Sequence, residues 1–176
     1  VVSLLLDLAV YSVDRDLTQL RLLEPSCGEG AFVVAAVERL ITVAVQRGID
    51  LASLPSPVVA FDIDQSHVDK TRAAVATMLE AFGTEPHSAR ELADRWIHRC
   101  DFLLRAEPGG FDVIVGNPPY IRIEQLPTRL QAEYRARYRS LYDRADLYVA
   151  FIERSLQLLS SQGILSFICA DRWIVN

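Results

Sequence analysis

The stretch Glu24-Pro25-Ser26-Cys27-Gly28-Glu29-Gly30-Ala31-Phe32 decides the fold. It joins a short apolar segment, Leu20 to Glu24, to a run from Ala31 to Gln46 that is apolar nearly all round. It therefore reads as a tight glycine turn between a buried strand and a buried helix. The same alternation recurs along the chain. Further strand candidates are Val58 to Ile63, Trp96 to Cys100, Phe111 to Val115 and Ile164 to Cys169, each short, mostly β-branched or aromatic, and bounded by Gly, Pro or Asp. Helical candidates are Gln65 to Phe82, Leu147 to Leu159 and a shorter piece around Ser88 to Arg95. Strands alternating with helices predict an α/β domain with a doubly wound, mostly parallel sheet. Right-handed crossovers from the first strand give the order 3-2-1-4-5 and place any ligand at the carboxyl ends of the strands.

A chain of 176 residues is one domain's worth, and 51% apolar with 23% charged residues excludes intrinsic disorder and low-complexity chains. The longest unbroken apolar runs, such as Ala31 to Val37, fall far short of the roughly 20 residues that span a bilayer, so no membrane partner is expected. Val1 to Asp7 lacks a basic segment and reads as a cut through an amphipathic helix rather than a signal peptide. The last strand candidate ends close to Asn176, which points to a fragment of a longer protein. Cys27, Cys100 and Cys169 are odd in number and widely spaced, which fits neither a disulfide framework nor metal ligands; a reducing cytoplasm is expected. His67, His87 and His98 show no ligand spacing, so no metal is expected. A net charge of −5 argues against a stand-alone nucleic-acid module, because phosphate neutralisation supplies most of such a module's affinity. Yet Arg122, Arg129, Arg135, Arg137, Arg139 and Arg144 crowd into one segment. They would serve either as phosphate contacts or as a solvated helix face with Glu124, Glu133 and Asp143 interspersed.

The glycine turn excludes two phosphate sites. A dinucleotide fingerprint needs Gly or Ala where Val33 stands and an acid about 20 residues on, whereas Asp62, ending the second strand, lies much further along. No Gly-Lys-Ser/Thr follows, so the turn is not a phosphate-cradling loop. What remains is a nucleoside without phosphates, or a plain strand-to-helix turn. Glu24 and Glu29 flank the turn and would repel a pyrophosphate but attract a cation; S-adenosylmethionine, a sulfonium carrying an ammonium group, suits that field. Asp62, uncapped beside an apolar strand, would accept both ribose hydroxyls, with Ile63 against an adenine face, while Asp64 reads as the N-cap of the next helix. Asp101 would accept from the adenine amino group with Phe102 packing the ring; taken singly it would be a loop acid.

After the fourth strand, Gly116 leads into Asn117-Pro118-Pro119-Tyr120. Two prolines lock φ and remove two donors, so the turn presents carbonyl acceptors in a rigid frame. The Asn117 amide oxygen and the Pro118 carbonyl would converge on one planar NH₂ group and bias its nitrogen towards tetrahedral, nucleophilic character. Tyr120 would stack on the ring that bears the amine. An ordinary proline turn, or a polyproline ligand, is the alternative.

Jointly, the Glu24 to Phe32 and Asn117 to Tyr120 motifs resemble those of the S-adenosylmethionine-dependent DNA adenine-N6 methyltransferases of restriction-modification and related phage-defence systems, the gamma class. Ala145-Asp146-Leu147-Tyr148-Val149-Ala150-Phe151-Ile152-Glu153 and Gly163-Ile164-Leu165-Ser166-Phe167 are similar to the family's fifth and sixth motifs, so nearly the whole chain is covered in the right order. The resemblance implies a Rossmann-like methyltransferase fold, with residues 1–176 a partial catalytic domain and the final strands and the target recognition domain following Asn176. That missing domain would account for the charge of −5. It implies that Glu24, Pro25, Ser26, Cys27, Gly28, Gly30, Asp62, Ile63, Asp101 and Phe102 bind S-adenosylmethionine. Asn117, Pro118, Pro119 and Tyr120 would hold the target adenine, with Asn117, Pro118 and Tyr120 catalytic.

The methyl group would then pass in line from sulfur to N6 without a covalent enzyme intermediate, and the base would be flipped out of the duplex. The implied partners are double-stranded DNA and a restriction endonuclease, fused or separate. The family's amino-terminal cofactor motif is only partial in residues 1 to 10. Methyltransferases of protein glutamine amides and of RNA guanine use a similar tetrapeptide on planar NH₂ groups. Their first motif, however, usually reads as Asp with a Gly-Thr/Ser-Gly turn, so Glu-Pro-Ser-Cys-Gly favours DNA adenine.

Overall fold

Five parallel strands form the sheet: β1 (Leu22–Glu24), β2 (Val58–Asp62), β3 (Ile97–Arg99), β4 (Phe111–Gly116) and β5 (Leu159–Phe167). They lie in the order β3-β2-β1-β4-β5, as the alternation of elements predicts. The architecture is that of a computed structural model, which describes residues 1–169; the strands expected after Asn176 lie outside the described residues. Among the described residues six helices join or flank the strands: α1 (Val2–Leu8), α2 (Ala31–Arg47), α3 (Gln65–Ala81), α4 (Pro86–Trp96), α5 (Thr128–Arg137) and α6 (Tyr148–Leu158). None among the described residues is long and apolar enough to cross a membrane.

The period-two alternation of a strand divides the apolar residues between two cores. Leu22, Val58, Ala60, Ile97, Val113 and Val115 face one way and are buried with residues of α1 to α4. Leu23, Val59, Phe61 and Ile114 face the other way, against α6 and the segments carrying Phe102, Tyr134 and Tyr138. Each such fully buried side chain contributes roughly 1.5–3 kcal/mol. Because the chain leaves β1 in one direction and returns to β4 on its other side, the β1–β4 junction is the switch point where α/β sheets bind ligands.

Two strand boundaries differ from the sequence expectation. β1 starts at Leu22 rather than Leu20, because the Leu20 amide still donates to the Leu17 carbonyl (3.2 Å) of a single 3₁₀ turn. β5 starts at Leu159 rather than Ile164. The polar residues from Ser160 onward are absorbed by a register shift opposite Phe111 and Val113, where the chain passes so close that a Cβ on Gly163 would meet the Phe111 carbonyl oxygen at 2.7 Å. α5 is an element that apolar periodicity did not predict; of its ten residues only Tyr134 is buried.

Candidate active site

The turn after β1 separates the roles of its two glycines. Gly30 caps α2 at φ +88°, and a Cβ there would lie 2.8 Å from both Cγ2 and Oγ1 of Thr71 on α3. The Thr71 hydroxyl in turn donates to the Gly28 carbonyl (3.0 Å), which ties the turn to α3. Gly28 has φ +53° and faces open space, with nothing within 4 Å of where a Cβ would stand. Its amide donates to Asp62 Oδ2 (2.8 Å), and the neighbouring Cys27 amide donates to the Phe61 carbonyl (2.8 Å). Cys27 is buried, which pushes its thiol up to about 12, with the charges of Glu24 and Asp62 adding to the effect. It therefore lines the turn as an inert apolar group rather than a nucleophile.

The charge distribution corrects the expected pair of acids. Glu24 is 1% exposed. Burial, reinforced by the Asp62 charge and opposed by the Val33 amide, pushes its carboxyl well above the usual range. Its Oε2 is buried with no hydrogen-bond partner among the described residues. Glu29 points outward and pairs with Lys70 Nζ at 2.5 Å; that hydrogen bond and charge hold its carboxyl below the usual range. The acid bonded to the turn itself is Asp62, through the Gly28 amide. Nor is Asp62 uncapped: Oδ2 accepts from Gly28, Oδ1 accepts from the Asp64 amide (2.9 Å), and His67 Nδ1 stands 3.4 Å from Oδ1. Oδ2, with a single donor, keeps capacity for one more. Asp64 caps α3 as expected, accepting from the Ser66 amide at 2.7 Å.

Beside Asp62 opens a mostly apolar hollow of about 390 Å³, within the range of small-ligand sites, whose walls include Pro25, Ser26, Ile63, Asp101, Phe102 and Pro119. Ile63 is 69% exposed and so presents a bare apolar side chain to it. Phe102 is held in the core, its ring 6.2 Å from Phe61 and 5.2 Å from Phe151. Asp101 Oδ1 accepts from the Leu103 amide (2.9 Å), and Oδ2 accepts from the Tyr134 hydroxyl (2.6 Å). Tyr134, His67, Ile121, Leu126 and Leu130 also line the hollow and were not expected from the sequence to do so. Their signal is tertiary, since the hollow is closed by a segment about 30 residues away from the acid it covers.

The motif after β4 meets the motif after β1: Ser26 Oγ donates to the Asn117 carbonyl at 3.3 Å. Asn117 is exposed, and its Oδ1 lies 2.8 Å from the Tyr120 hydroxyl, which also lies 2.9 Å from the Ile168 carbonyl and has one proton to give to either. The Tyr120 ring is half exposed and sits 6.0 Å from the Tyr148 ring at 55°. The residues present suit a nucleoside with a cationic tail: free carboxylate capacity at Asp62 and Asp101, an apolar wall at Ile63, space above Gly28, and the unpartnered Glu24 Oε2. Among the described residues no three His, Cys, Asp or Glu side chains are grouped to hold a metal ion.

Comparison with known proteins agrees with this geometry. Over its whole length the chain is 46% identical to the type II methyltransferase M.PaeR7I of Pseudomonas aeruginosa and 43% identical to M.XhoI of Xanthomonas vasicola. It covers 31% and 33% of those proteins, so it spans about a third of the length of the curated relatives it matches. Its backbone is similar to that of a class I S-adenosylmethionine-dependent methyltransferase from Listeria monocytogenes, with a TM-score of 0.59 at 16% identity over 99% of this chain and 47% of that one, a likeness of fold. Residues 41–176, from within α2 through both acids and the Asn-Pro-Pro-Tyr turn, match one protein family throughout. The chain belongs to the Eco57I restriction-modification methylase family.

Proposed function

We propose that the protein of which this chain is the cofactor-binding and catalytic core transfers a methyl group from S-adenosylmethionine to the N6 amino group of an adenine flipped out of DNA. It would do so as the modification half of a restriction-modification or related defence system. The observation that carries this reading is the contact of the two motifs, Ser26 Oγ on the Asn117 carbonyl, which sets an amine-binding turn beside a nucleoside-binding turn at the sheet's switch point. When bound, the cofactor supplies an electrophilic sulfonium methyl group. Asp62 and Asp101 accept hydrogen bonds from its hydroxyl and amino groups, and Ile63 and Phe102 bracket its base. Pro25, Ser26 and Cys27 shape the turn beneath it, with the buried acid Glu24 behind them.

On the acceptor side, Asn117 Oδ1 and the Pro118 carbonyl take the two amine hydrogens, which holds the nitrogen lone pair out of conjugation with the ring. Tyr120 gives its ring to the flipped base and releases Asn117 Oδ1 as it does so, with Pro119 keeping the turn rigid. None of these groups forms a bond to the substrate, so the rate gain rests on positioning and electrostatics. Double-stranded DNA and a restriction endonuclease, fused or separate, are the partners that this reading entails.

The test is Asn117→Ala in the full-length protein, with radiolabelled methyl transfer measured to DNA, RNA and a glutamine peptide. Transfer to DNA alone, falling at least about 100-fold in the variant while cofactor affinity stays within about twofold, is the expected result. Transfer to RNA or peptide redirects the acceptor, and an active variant removes Asn117 from the mechanism.

A further inference from the structure

α5 and the turn after β3 are joined by an unusual concentration of hydroxyl and guanidinium donors. Tyr134 donates to Asp101 Oδ2 (2.6 Å) and Tyr138 to the Leu103 carbonyl (2.5 Å), while Arg137 Nη1 reaches the Leu104 carbonyl at 3.3 Å. From the other side, Arg154 on α6 donates to the Arg105 carbonyl at 3.0 Å. Three of these bonds go to backbone and fix the path of the turn. The Tyr134 bond alone goes to a side chain, and that side chain is the acid facing the hollow.

The two Asp101 oxygens are therefore held from opposite directions, Oδ1 by the Leu103 amide and Oδ2 by Tyr134, so the carboxylate plane cannot swing. Tyr134 is 5% exposed and burial raises its hydroxyl far above the ordinary range, with the Asp101 bond adding to the effect; it remains a proton donor at any working pH. Leu130, one helical turn before Tyr134, lines the same hollow, so α5 forms part of its wall as well as supplying the donor.

We infer that Tyr134 is a positioning residue for cofactor selection: through its bond to Asp101 it aims the carboxylate at the exocyclic amine of the cofactor's adenine, and so discriminates a 6-amino purine from a purine without that amine. The inference rests on the cofactor reading above and adds to it a residue from outside both sequence motifs. A site whose acceptor is pre-aimed gains more from the matching donor than one whose acceptor must be ordered at binding.

The experiment is calorimetric titration of the full-length protein with S-adenosylhomocysteine and with its analogue carrying hydrogen in place of the 6-amino group. The wild type prefers the amino ligand by about tenfold or more, the scale of one charge-assisted hydrogen bond. Tyr134→Phe keeps the ring and its packing; its preference falls to about threefold or less, chiefly through weaker binding of the amino ligand. In turnover, KM for the cofactor rises while kcat at saturation stays within about twofold. Tyr138→Phe, which removes a bond to backbone in the same turn, keeps the wild-type preference. A Tyr134→Phe preference that is not reduced, whether both affinities fall together or neither does, overturns the inference, as does an equal fall in Tyr138→Phe. Wild-type protein that binds neither ligand overturns the cofactor reading itself and this inference with it.

Discussion

Glu24 shows how far a residue's chemistry departs from its letter. In the sequence it is one of two acids flanking a turn; in the fold it is a buried carboxyl whose pKa is raised and whose Oε2 has no hydrogen-bond partner among the described residues. Its folded pKa lies above its ordinary value of 4.5. Below that value both folded and unfolded chains hold the proton, and Glu24 makes no pH-dependent demand. Above it the unfolded chain releases the proton while the folded chain keeps it, so stability falls by about 1.4 kcal/mol per pH unit until the folded pKa is reached. Glu24→Gln cannot release a proton, so the variant gains on the wild type as pH rises from 4.5 towards neutrality. Thermal unfolding of both proteins between pH 4 and 8 measures this, and a constant difference between them would remove the raised pKa of this buried acid from the account. The residue types at the site were legible because Glu, Asp and Asn at strand ends have few other uses. Their protonation and hydrogen-bond partners were not, because those depend on burial and on side chains such as Tyr134 and His67 that arrive from other elements.

At the scale of elements, Gly28 and Gly30 look alike in the sequence and are expected to fail differently when substituted. Gly30→Ala combines left-handed φ with a Cβ 2.8 Å from the buried Thr71, so α2 and α3 must move apart. Backbone strain and overpacking together cost roughly 2–5 kcal/mol. Gly28→Ala has the strain without the clash, about 1–2 kcal/mol, and places its methyl in the open space above the turn. The first variant should lower the melting temperature strongly; the second should lower it modestly while weakening S-adenosylhomocysteine binding by tenfold or more. Calorimetric melting and titration of both separate these outcomes, and equal loss of stability would mean that the turn relaxes around either methyl group.

Element boundaries follow the same division between local and distant causes. α2, α3 and α6 were readable from apolar periodicity because each buries one face on the sheet. α5 was not, because its apolar face is short, Leu130 and Tyr134 among charged residues, and it is held largely by tyrosine hydroxyls and arginine-to-carbonyl bonds. The early start of β5 was hidden for a related reason: Ser160 to Gly163 look like a loop, and only the register shift against β4 draws them into the strand.

At the scale of the whole molecule, strand order was the most legible feature, since right-handed crossovers and short connections leave few alternatives once five strands are recognised. The arginine segment was the least legible, because sequence offered phosphate contacts and a solvated face on equal terms. The structure divides the cluster. Arg129 pairs with Glu133 (3.2 Å) and Arg144 with Glu124 (3.3 Å). Arg135 donates to the carbonyls of Leu141 (3.1 Å) and Asp143 (2.6 Å), and so braces Asp143 at its φ of +48°. Arg122 and Arg139 are exposed and have no carboxylate within 4.0 Å among the described residues.

Arg122 also stands two residues after Tyr120, beside the turn proposed to receive the flipped base. An exposed guanidinium that neutralises one phosphate releases about one counterion, which adds close to 0.9 to the slope of log affinity against log salt. Arg122→Ala in the full-length protein is therefore expected to weaken DNA binding at all sequences alike and to lower that slope by about one. Arg135→Ala is expected to leave the slope unchanged and to cost about 1–2 kcal/mol of stability, as two carbonyls lose their donor and the strained Asp143 backbone loses its brace. Fluorescence anisotropy with a DNA duplex over a salt series, paired with thermal melts, reads both quantities. If Arg135→Ala lowers the slope as much as Arg122→Ala, the cluster acts on DNA as a single charged surface and the division drawn from its internal bonds fails.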